Sequence, residues 1–179
     1  MLDLNYPLLK SIEIDSSIIS FLNKKLDYYI ENVKDQQDDL NGFHKGFQTK
    51  NLLFWENEEF KNFLNNEILN LLSEKLMFKK EKIKYKWTHM LEYAKGGKMD
   101  AHRHMHNEDF VFFIYLNSCE SSGETIFYLN DYDEDSKQRT KVPVLPQKNL
   151  GVCFSALVLH EGLATYDDKR IFVLGFRLS

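Results

Sequence analysis

The sequence has little cysteine and no long apolar run. Only two of its 179 residues are cysteines, Cys119 and Cys153, and they lie far apart in apolar surroundings. This spacing is not that of a disulfide framework or of a Cys-x-x-Cys metal site. No stretch approaches the roughly 20 consecutive apolar residues that a membrane-spanning helix needs. We therefore expect a soluble protein with two buried, unpaired thiols and no membrane partner.

The sequence also lacks a strong charge of one sign. Its net charge is -4 at pH 7, and lysines alternate with acidic residues instead of forming a basic stripe. High-affinity binding to nucleic acid is therefore not expected. Residues 1–10 lack the basic segment and apolar run of a secretory signal, which favours a cytoplasmic location. No Ser-His-Asp or Cys-His arrangement typical of nucleophilic catalysis is visible either.

The first eighty residues contain two helical patterns. Apolar side chains recur every three or four residues over 15–34 and again over 58–77, which predicts two amphipathic helices. The segment between them, 35–50, is polar and contains glycine, so it is predicted to be a loop. We interpret residues 1–80 as a helical support for a domain that spans 1–179.

After Glu81 the apolar period changes from helical to alternating. Alternation over 83–93 predicts a half-buried strand, with one face formed by Ile83, Tyr85, Trp87, His89, Leu91 and Tyr93. Further short apolar runs predict strands over 110–117, 124–129, 141–145, 150–159 and 170–178. Residues 81–179 are therefore nearly all β. The predicted fold class is mostly β with N-terminal helices, in a sandwich or barrel.

Three of the six histidines lie close together, at His102, His104 and His106. On an extended segment, side chains two residues apart face the same side, so these imidazoles can converge on one point. Imidazole suits iron, zinc, copper and nickel. A further ligand is expected from a distant strand, and His160 ends the apolar run 150–159. The sequence thus predicts a metal site formed by the histidine cluster and His160.

Several segments around these histidines resemble one enzyme family. They are, in chain order, GGKMDAHRH, FFIYLN, SSGETIF, LPQKNLGVCF, LHEG and KRIFVLGFRL. Their order resembles the prolyl 4-hydroxylase-like group of 2-oxoglutarate and Fe(II)-dependent oxygenases, in particular the short type encoded by phages and marine bacteria. The resemblance covers Lys86 to Leu178 and continues more weakly upstream through GFQTKNLLF. It implies a double-stranded β-helix, which is a jelly-roll or cupin-like barrel.

The resemblance also implies roles for individual residues. His102 and His160 match the two histidines that bind iron in the family. Arg170 matches the basic residue that pairs with the far carboxylate of 2-oxoglutarate, a carboxylate that a guanidinium fork can grip in a bidentate way. Tyr115 matches a tyrosine that hydrogen-bonds the same carboxylate, and Tyr93 one that lines the cosubstrate pocket. The implied activity is hydroxylation of an unidentified small molecule or peptide.

One position departs from the family pattern, because His104 stands where the family has aspartate or glutamate. Three arrangements fit this change. His104 can complete a three-histidine face, Glu108 or Asp109 can fold back to supply the carboxylate, or the ion can be zinc or another metal in a domain that oxidises nothing. We favour the first, with His102, His104 and His160 as ligands. His106 is then expected behind the ligands or exposed.

A cupin-type metal enzyme or binding protein is the alternative. The first cupin motif is satisfied by Gly96, His102, His104 and Glu108. His160 would then complete a site of three histidines and one glutamate. The second cupin motif places Pro-x-Gly before its histidine, whereas residues 157–159 are Leu-Val-Leu. This difference, together with Arg170, favours the oxygenase over the cupin. A third interpretation is a metal-binding barrel that has no enzymatic activity and serves only as a binding module.

Overall fold

A computed structural model describes residues 9–33, 43–53, 58–104, 107–129 and 140–179. The helices are α1 (Ser16–Asn32), α2 (Glu58–Phe63) and α3 (Leu69–Leu76), and a π-helical turn, Leu64–Ile68, joins the last two. The strands are β1 (Leu9–Glu13), β2 (Phe43–Gln48), β3 (Ile83–His102), β4 (Phe110–Tyr115), β5 (Thr125–Tyr128), β6 (Lys141–Val144), β7 (Leu150–Ser155), β8 (Leu159–Gly162) and β9 (Lys169–Leu178). No helix in these ranges is long and apolar enough to cross a membrane.

The strands form one curled antiparallel sheet. Their order is β1-β7-β4-β9-β3-β8-β5-β6, and β2 pairs with β3 outside this path. The first part of β3, up to Tyr93, pairs with β9, whereas Met99 and His102 at its end pair with β8. The 20-residue strand β3 therefore connects the part of the sheet that contains β9 with the part that contains β8. Its curvature closes the sheet around an interior, so that the sheet has an inner face and an outer face.

The helices cover the outer face of the sheet. α1 buries Ile18, Ile19, Leu22, Leu26 and Tyr29, and α3 buries Leu71, Leu72 and Leu76. They share one apolar core with outward-facing strand residues such as Phe112, Phe172 and Leu174. Burial of this continuous apolar surface is what fixes the helices on the sheet. Both predicted helices are confirmed, although the π-helical turn divides the second.

The first eighty residues contribute more than helices. β1 pairs with β7, where Leu9 lies opposite Phe154, and β2 pairs with β3, where Gln48 lies opposite Leu91. The prediction that 35–50 is a loop is therefore wrong for β2. In β2 the register shifts between His44 and Gly46, and this irregularity conceals the alternation in the sequence. The rest of the predicted loop, and most of 130–141, lies outside the described residues.

A β-bulge divides the first half of β3. Tyr85 pairs with Phe176 and Trp87 with Gly175, so Lys86 is an extra residue. An extra residue turns every later side chain to the other face. The prediction that 83–93 shows one face throughout is therefore wrong: Ile83 and Tyr85 contact the helix-side core. The residues after the bulge that face the interior are Trp87, His89, Leu91 and Tyr93.

The predicted strand over 150–159 is two strands. β7 ends at Ser155, and the backbone N–H of Val158 donates to the Ser155 carbonyl across a tight turn at 2.9 Å. β8 then begins at Leu159 and runs back beside the end of β3. This turn places His160 directly opposite His102 in the β3–β8 pair.

Candidate metal and cosubstrate site

His102, His104 and His160 come together at one point. One nitrogen of each ring lies within 4.8 Å of the others. The ring centroids are 4.3 Å apart for His102 and His160, 5.0 Å for His102 and His104, and 5.2 Å for His104 and His160. Strand pairing places His102 and His160, whereas His104 is held by its backbone N–H, which donates to Ala156 O at 3.0 Å. This is a group that can hold a metal ion.

The ring orientations favour metal binding through Nε2. Nδ1 of His102 lies 2.8 Å from the carbonyl of Asp100, and Nδ1 of His160 lies 3.1 Å from that of Val158. An Nδ1–H donated to a carbonyl leaves Nε2 as the metal-binding nitrogen. Nδ1 of His104 lies 3.9 Å from Glu108 Oε1, beyond hydrogen-bond distance but on the side of that carboxylate. In all three rings Nδ1 lies on the side of a protein oxygen, which leaves Nε2 for a metal ion.

The surroundings of His160 favour its neutral imidazole form. Burial lowers the pKa of His160 well below its ordinary value, and the nearby His102 and His104 lower it further. Neutral imidazole is the form that binds metals. Among the described residues, no carboxylate belongs to the group. Asp109 lies elsewhere, because its Oδ2 accepts the backbone N–H of Leu178 at 2.9 Å.

The alternatives that use a carboxylate ligand do not fit this geometry. Glu108 lies beside Nδ1 of His104 and is not part of the group, and Asp109 faces the end of β9. The described residues therefore offer three nitrogens and no oxygen, which differs from the four-ligand cupin arrangement. His106 lies outside the described residues.

A cavity of about 470 Å³ adjoins the three histidines. Its walls are mainly apolar and come from β3, β4, β7 and β9. The polar side chains that line it, apart from the three histidines, are Gln48, Asn51, His89, Tyr93, Arg103, Thr125 and Lys169. No carboxylate belongs to the described lining. The cavity therefore suits a molecule with apolar parts and negative charge.

Lys169 is the buried cation of this cavity. Its side chain is 0% exposed, and its Nζ donates to the carbonyl of Gly123 at 2.9 Å. The same Nζ lies 4.2 Å from the centroid of the Tyr93 ring. Burial lowers the pKa of Lys169 to about 8. No carboxylate of the described residues forms an ion pair with it, so an anionic ligand would be its natural counterion.

Arg170 does not lie in the cavity. Its Nε donates to Glu92 Oε2 at 2.6 Å, and its Nη1 donates to Asp27 Oδ1 at 2.7 Å. Both partners are on the helix side of the sheet, and these pairs raise the pKa of Arg170 despite its partial burial. The structure therefore places Arg170 outside the cavity, although the resemblance implied that it holds the cosubstrate. Alternation along β9 turns Lys169 inward and Arg170 outward.

The two predicted tyrosines lie on the inner side. Tyr93 lines the cavity, and Tyr115 is fully buried behind it. The Tyr115 hydroxyl donates to Thr125 Oγ1 at 2.7 Å, and Thr125 lines the cavity. Burial raises the pKa of both phenols, so they are neutral hydrogen-bond donors. Tyr115 therefore reaches the cavity through Thr125.

Gln48 is a cavity residue that the sequence did not reveal. It is 2% exposed, and neither its Oε1 nor its Nε2 has a hydrogen-bond partner among the described residues. Its neighbour Asn51 is committed to the fold, because its Oδ1 accepts the N–H groups of Leu53 and Thr88. His89 faces the cavity as expected, with Nδ1 2.8 Å from Thr49 O. Among the described residues that line the cavity, Gln48 has a buried amide whose donor and acceptor are both without a hydrogen-bond partner.

Trp87 packs against the metal-binding group. Its indole is stacked on the His104 ring with centroids 5.1 Å apart. The indole lies over Gly175, where an added Cβ would come within 2.3 Å of the ring atom Cε2 of Trp87. Gly175 thus gives the indole the space to lie flat on the sheet. No pattern in the sequence indicates this contact, because the contact depends on the bulge at Lys86.

Comparisons with known proteins place this fold. No protein-family model matches the sequence. No curated protein matches it either. A prolyl 4-hydroxylase from Pseudomonas putida superposes with a TM-score of 0.71 and 14% identity, over 99% of this chain and 96% of that one. A viral collagen prolyl hydroxylase from Paramecium bursaria Chlorella virus-1, in its 2-oxoglutarate complex, gives 0.61 and 16%, over 96% and 97%.

A third structure is HygX from Streptomyces hygroscopicus, with nickel and 2-oxoglutarate bound. It has a TM-score of 0.70 and 12% identity, over 98% of this chain and 84% of that one. The chain therefore has the double-stranded β-helix fold of the 2-oxoglutarate-dependent oxygenases, as predicted. Within that class its likeness extends to prolyl 4-hydroxylases of similar length.

Proposed function

We propose that this protein is a non-haem Fe(II) oxygenase that uses 2-oxoglutarate to hydroxylate a small molecule or peptide. One observation carries the proposal: a convergent group of three imidazoles and a buried lysine share a single apolar cavity. Iron with three neutral nitrogen ligands keeps positions open for other ligands. The oxygenase fold supports the same conclusion.

The cavity suits a dicarboxylate. 2-Oxoglutarate carries a keto-acid end, which can bind a metal, and a second carboxylate at its far end. Lys169 would hold this far carboxylate, since it is a buried cation with no ion-pair partner among the described residues. Thr125 and, through it, Tyr115 would add hydroxyl groups beside the ammonium. A charged hydrogen bond in such a water-poor site is stronger than a neutral one.

The residues of the chain have three roles in this proposal. The three imidazoles bind the metal, and the carbonyls that lie beside Nδ1 of His102 and His160 fix the orientations of those two rings. Lys169, with Tyr93 beside its Nζ, orients the cosubstrate. The apolar walls, Leu91, Phe154 and Ile171 among them, exclude water. When bound, iron with 2-oxoglutarate and oxygen supplies the oxidation that replaces C–H by C–OH, with succinate and carbon dioxide as coproducts.

The test is metal analysis followed by anaerobic calorimetric titration with 2-oxoglutarate. We compare the wild type with Lys169→Ala and with the neighbouring charge change Arg170→Ala. We expect 2-oxoglutarate affinity to fall by about 10-fold or more in Lys169→Ala, because a charge-assisted contact contributes roughly 1.5–3 kcal/mol. It should change little in Arg170→Ala.

Three other outcomes would count against the proposal. Failure of the wild type to retain any metal would refute it. Metal retention without 2-oxoglutarate binding would favour the cupin-type or binding-module alternative. Loss of binding in Arg170→Ala alone would restore Arg170 to the role given to Lys169.

A further inference from the structure

Glu108 is a buried carboxylate with no hydrogen-bond partner among the described residues. Its side chain is 1% exposed, and neither oxygen has a donor. Burying a carboxylate without partners costs several kcal/mol. A nearby positive charge, such as that of a bound metal ion, offsets this cost. The only ion-pair contact of Glu108 within the described residues is with His104, at 3.9 Å.

The backbone fixes this juxtaposition. The N–H of His104 donates to Ala156 O, and the N–H of Ala156 donates to Asp109 O, each at 3.0 Å. Asp109 is also tied to β9, because its N–H donates to Phe176 O at 3.0 Å. Both ends of the segment 104–109 are therefore pinned to the same turn between β7 and β8. Glu108 is held behind the His104 ring, on its Nδ1 side.

This position does not make Glu108 a metal ligand. Its oxygens are not within the group formed by the three histidines, and they face Nδ1 of His104. At 3.9 Å the carboxylate and the imidazole are too far apart for a hydrogen bond, but a negative charge on the Nδ1 side of a metal-binding histidine still favours a proton on Nδ1 and leaves Nε2 as the ligand. It also lowers the net charge of the site by one unit, as a carboxylate ligand would.

Resting on the metal site proposed above, we infer that Glu108 is a positioning residue that supplies, through His104, the negative charge of the missing ligand carboxylate. The chain has histidine where its fold relatives of the prolyl 4-hydroxylase type are expected to have aspartate or glutamate. The displaced carboxylate lies one imidazole further from the metal. The same charge favours the His104 tautomer that carries its proton on Nδ1 and leaves Nε2 for the metal.

The first test uses Co(II) as a spectroscopic probe, with no turnover needed. Glu108→Gln removes the charge and keeps the shape, so we expect Co(II) affinity to fall by about 10–100-fold, the range for such outer partners. Asp109→Asn is the matched control: it removes the same charge one residue away, keeps an acceptor for Leu178, and should leave the affinity within about 2-fold.

The second test places a carboxylate back at position 104. In the His104→Asp background Glu108 has no histidine to orient and faces a like charge. Adding Glu108→Gln to His104→Asp should then leave Co(II) affinity unchanged or raise it, whereas the same change weakens binding in the wild type. This reversal is a coupling that a merely structural glutamate would not show.

Thermal unfolding of the metal-free proteins separates folding from binding. Since the carboxylate is unpaired without metal, metal-free Glu108→Gln should be at least as stable as the wild type. A lower melting temperature together with unchanged Co(II) affinity would overturn the inference. So would equal Co(II) affinities for Glu108→Gln and Asp109→Asn. A wild type that binds no Co(II) would instead refute the metal site itself.

Discussion

The two faces of the sheet differ in how their polar groups are satisfied. The outer face packs against α1 and α3 in a continuous apolar core, and its main ionic residue, Arg170, has two carboxylate partners. The inner face holds three clustered imidazoles, the lysine Lys169 and the unpaired amide of Gln48. Folding alone does not explain the buried amide of Gln48, which has no hydrogen-bond partner among the described residues, or the buried ammonium of Lys169, since burying each of them costs stability. The outer face of the sheet therefore contributes mainly to stability, whereas the inner face has the groups that could bind a ligand.

The largest effect is expected on the inner face from His160→Ala. This change leaves two of the three nitrogens, so metal retention and 2-oxoglutarate turnover should fall below detection. Metal content after dialysis and succinate formation are the measurements. Circular dichroism should remain that of the wild type, because the removed ring belongs to the site. Turnover that persists in this variant would contradict the ligand assignment.

On the outer face, Phe112→Ala should lower stability and leave metal binding unchanged, which is the opposite of His160→Ala. Phe112 is 0% exposed in the helix-side core, so its truncation should lower the free energy of unfolding by about 3–5 kcal/mol. Chemical denaturation measures this loss. At temperatures where the variant is folded, its Co(II) affinity should match that of the wild type. A change in affinity comparable to that of His160→Ala would mean that the two faces are not separate.

An effect of intermediate size is expected from pH, because Lys169 titrates within the accessible range and changes both stability and 2-oxoglutarate binding. Burial lowers its pKa to about 8, so the ammonium of the ligand-free protein is lost as pH rises through that value. The unfolded chain, with an ordinary lysine, binds more protons above that pH, so this group makes stability rise with pH there. Below pH 8 the lysine is charged in both states.

The same titration should weaken 2-oxoglutarate binding. Affinity should be constant below pH 8 and fall by up to about 10-fold per pH unit above it, since one protonated amine is required. Calorimetric titration from pH 7 to 9.5 gives the profile. Lys169→Arg should bind with a flat profile over this range, because guanidinium keeps its proton. A pH-dependent fall in Lys169→Arg would assign the titration to another group.

The smallest effect should come from Gln48→Met. Methionine has a similar length and no unsatisfied amide, so the ligand-free protein should gain about 1 kcal/mol in stability. The matched change on the outer face, Asn23→Met, should destabilise, because the Asn23 side chain donates to Leu116 O at 3.0 Å. Urea denaturation of both variants makes the comparison. A loss of stability in Gln48→Met would mean that its amide is satisfied.

The sequence predicted the parts of the site that depend on short-range patterns. Two histidines spaced by two residues, and a third at the end of an apolar run, were enough to predict that His102, His104 and His160 come together. It failed where side-chain direction depends on register. Arg170, the basic residue that the resemblance implied, lies outside the cavity, because alternation along β9 turns Lys169 inward and Arg170 outward.

Other misses have the same origin in long-range pairing. The bulge at Lys86 reverses which side chains of β3 face the helices, and no local signal marks it. β2 looked like a loop because its register shift hides the alternation, so Gln48 could not be placed in the cavity. Glu108 was visible as a carboxylate near the histidines, but its position behind His104 depends on the turn at Ala156.

The length of β3 constrains how this protein can vary. A single continuous strand carries Tyr93 beside the lysine and, nine residues on, His102 in the metal-binding group. The number of residues between Tyr93 and His102 therefore sets the separation between the lysine end and the histidine end of the cavity. Surface loops can gain or lose residues without altering this separation. A one-residue insertion between Tyr93 and His102 would change this separation. It would also turn the His102 imidazole to the other face of the sheet.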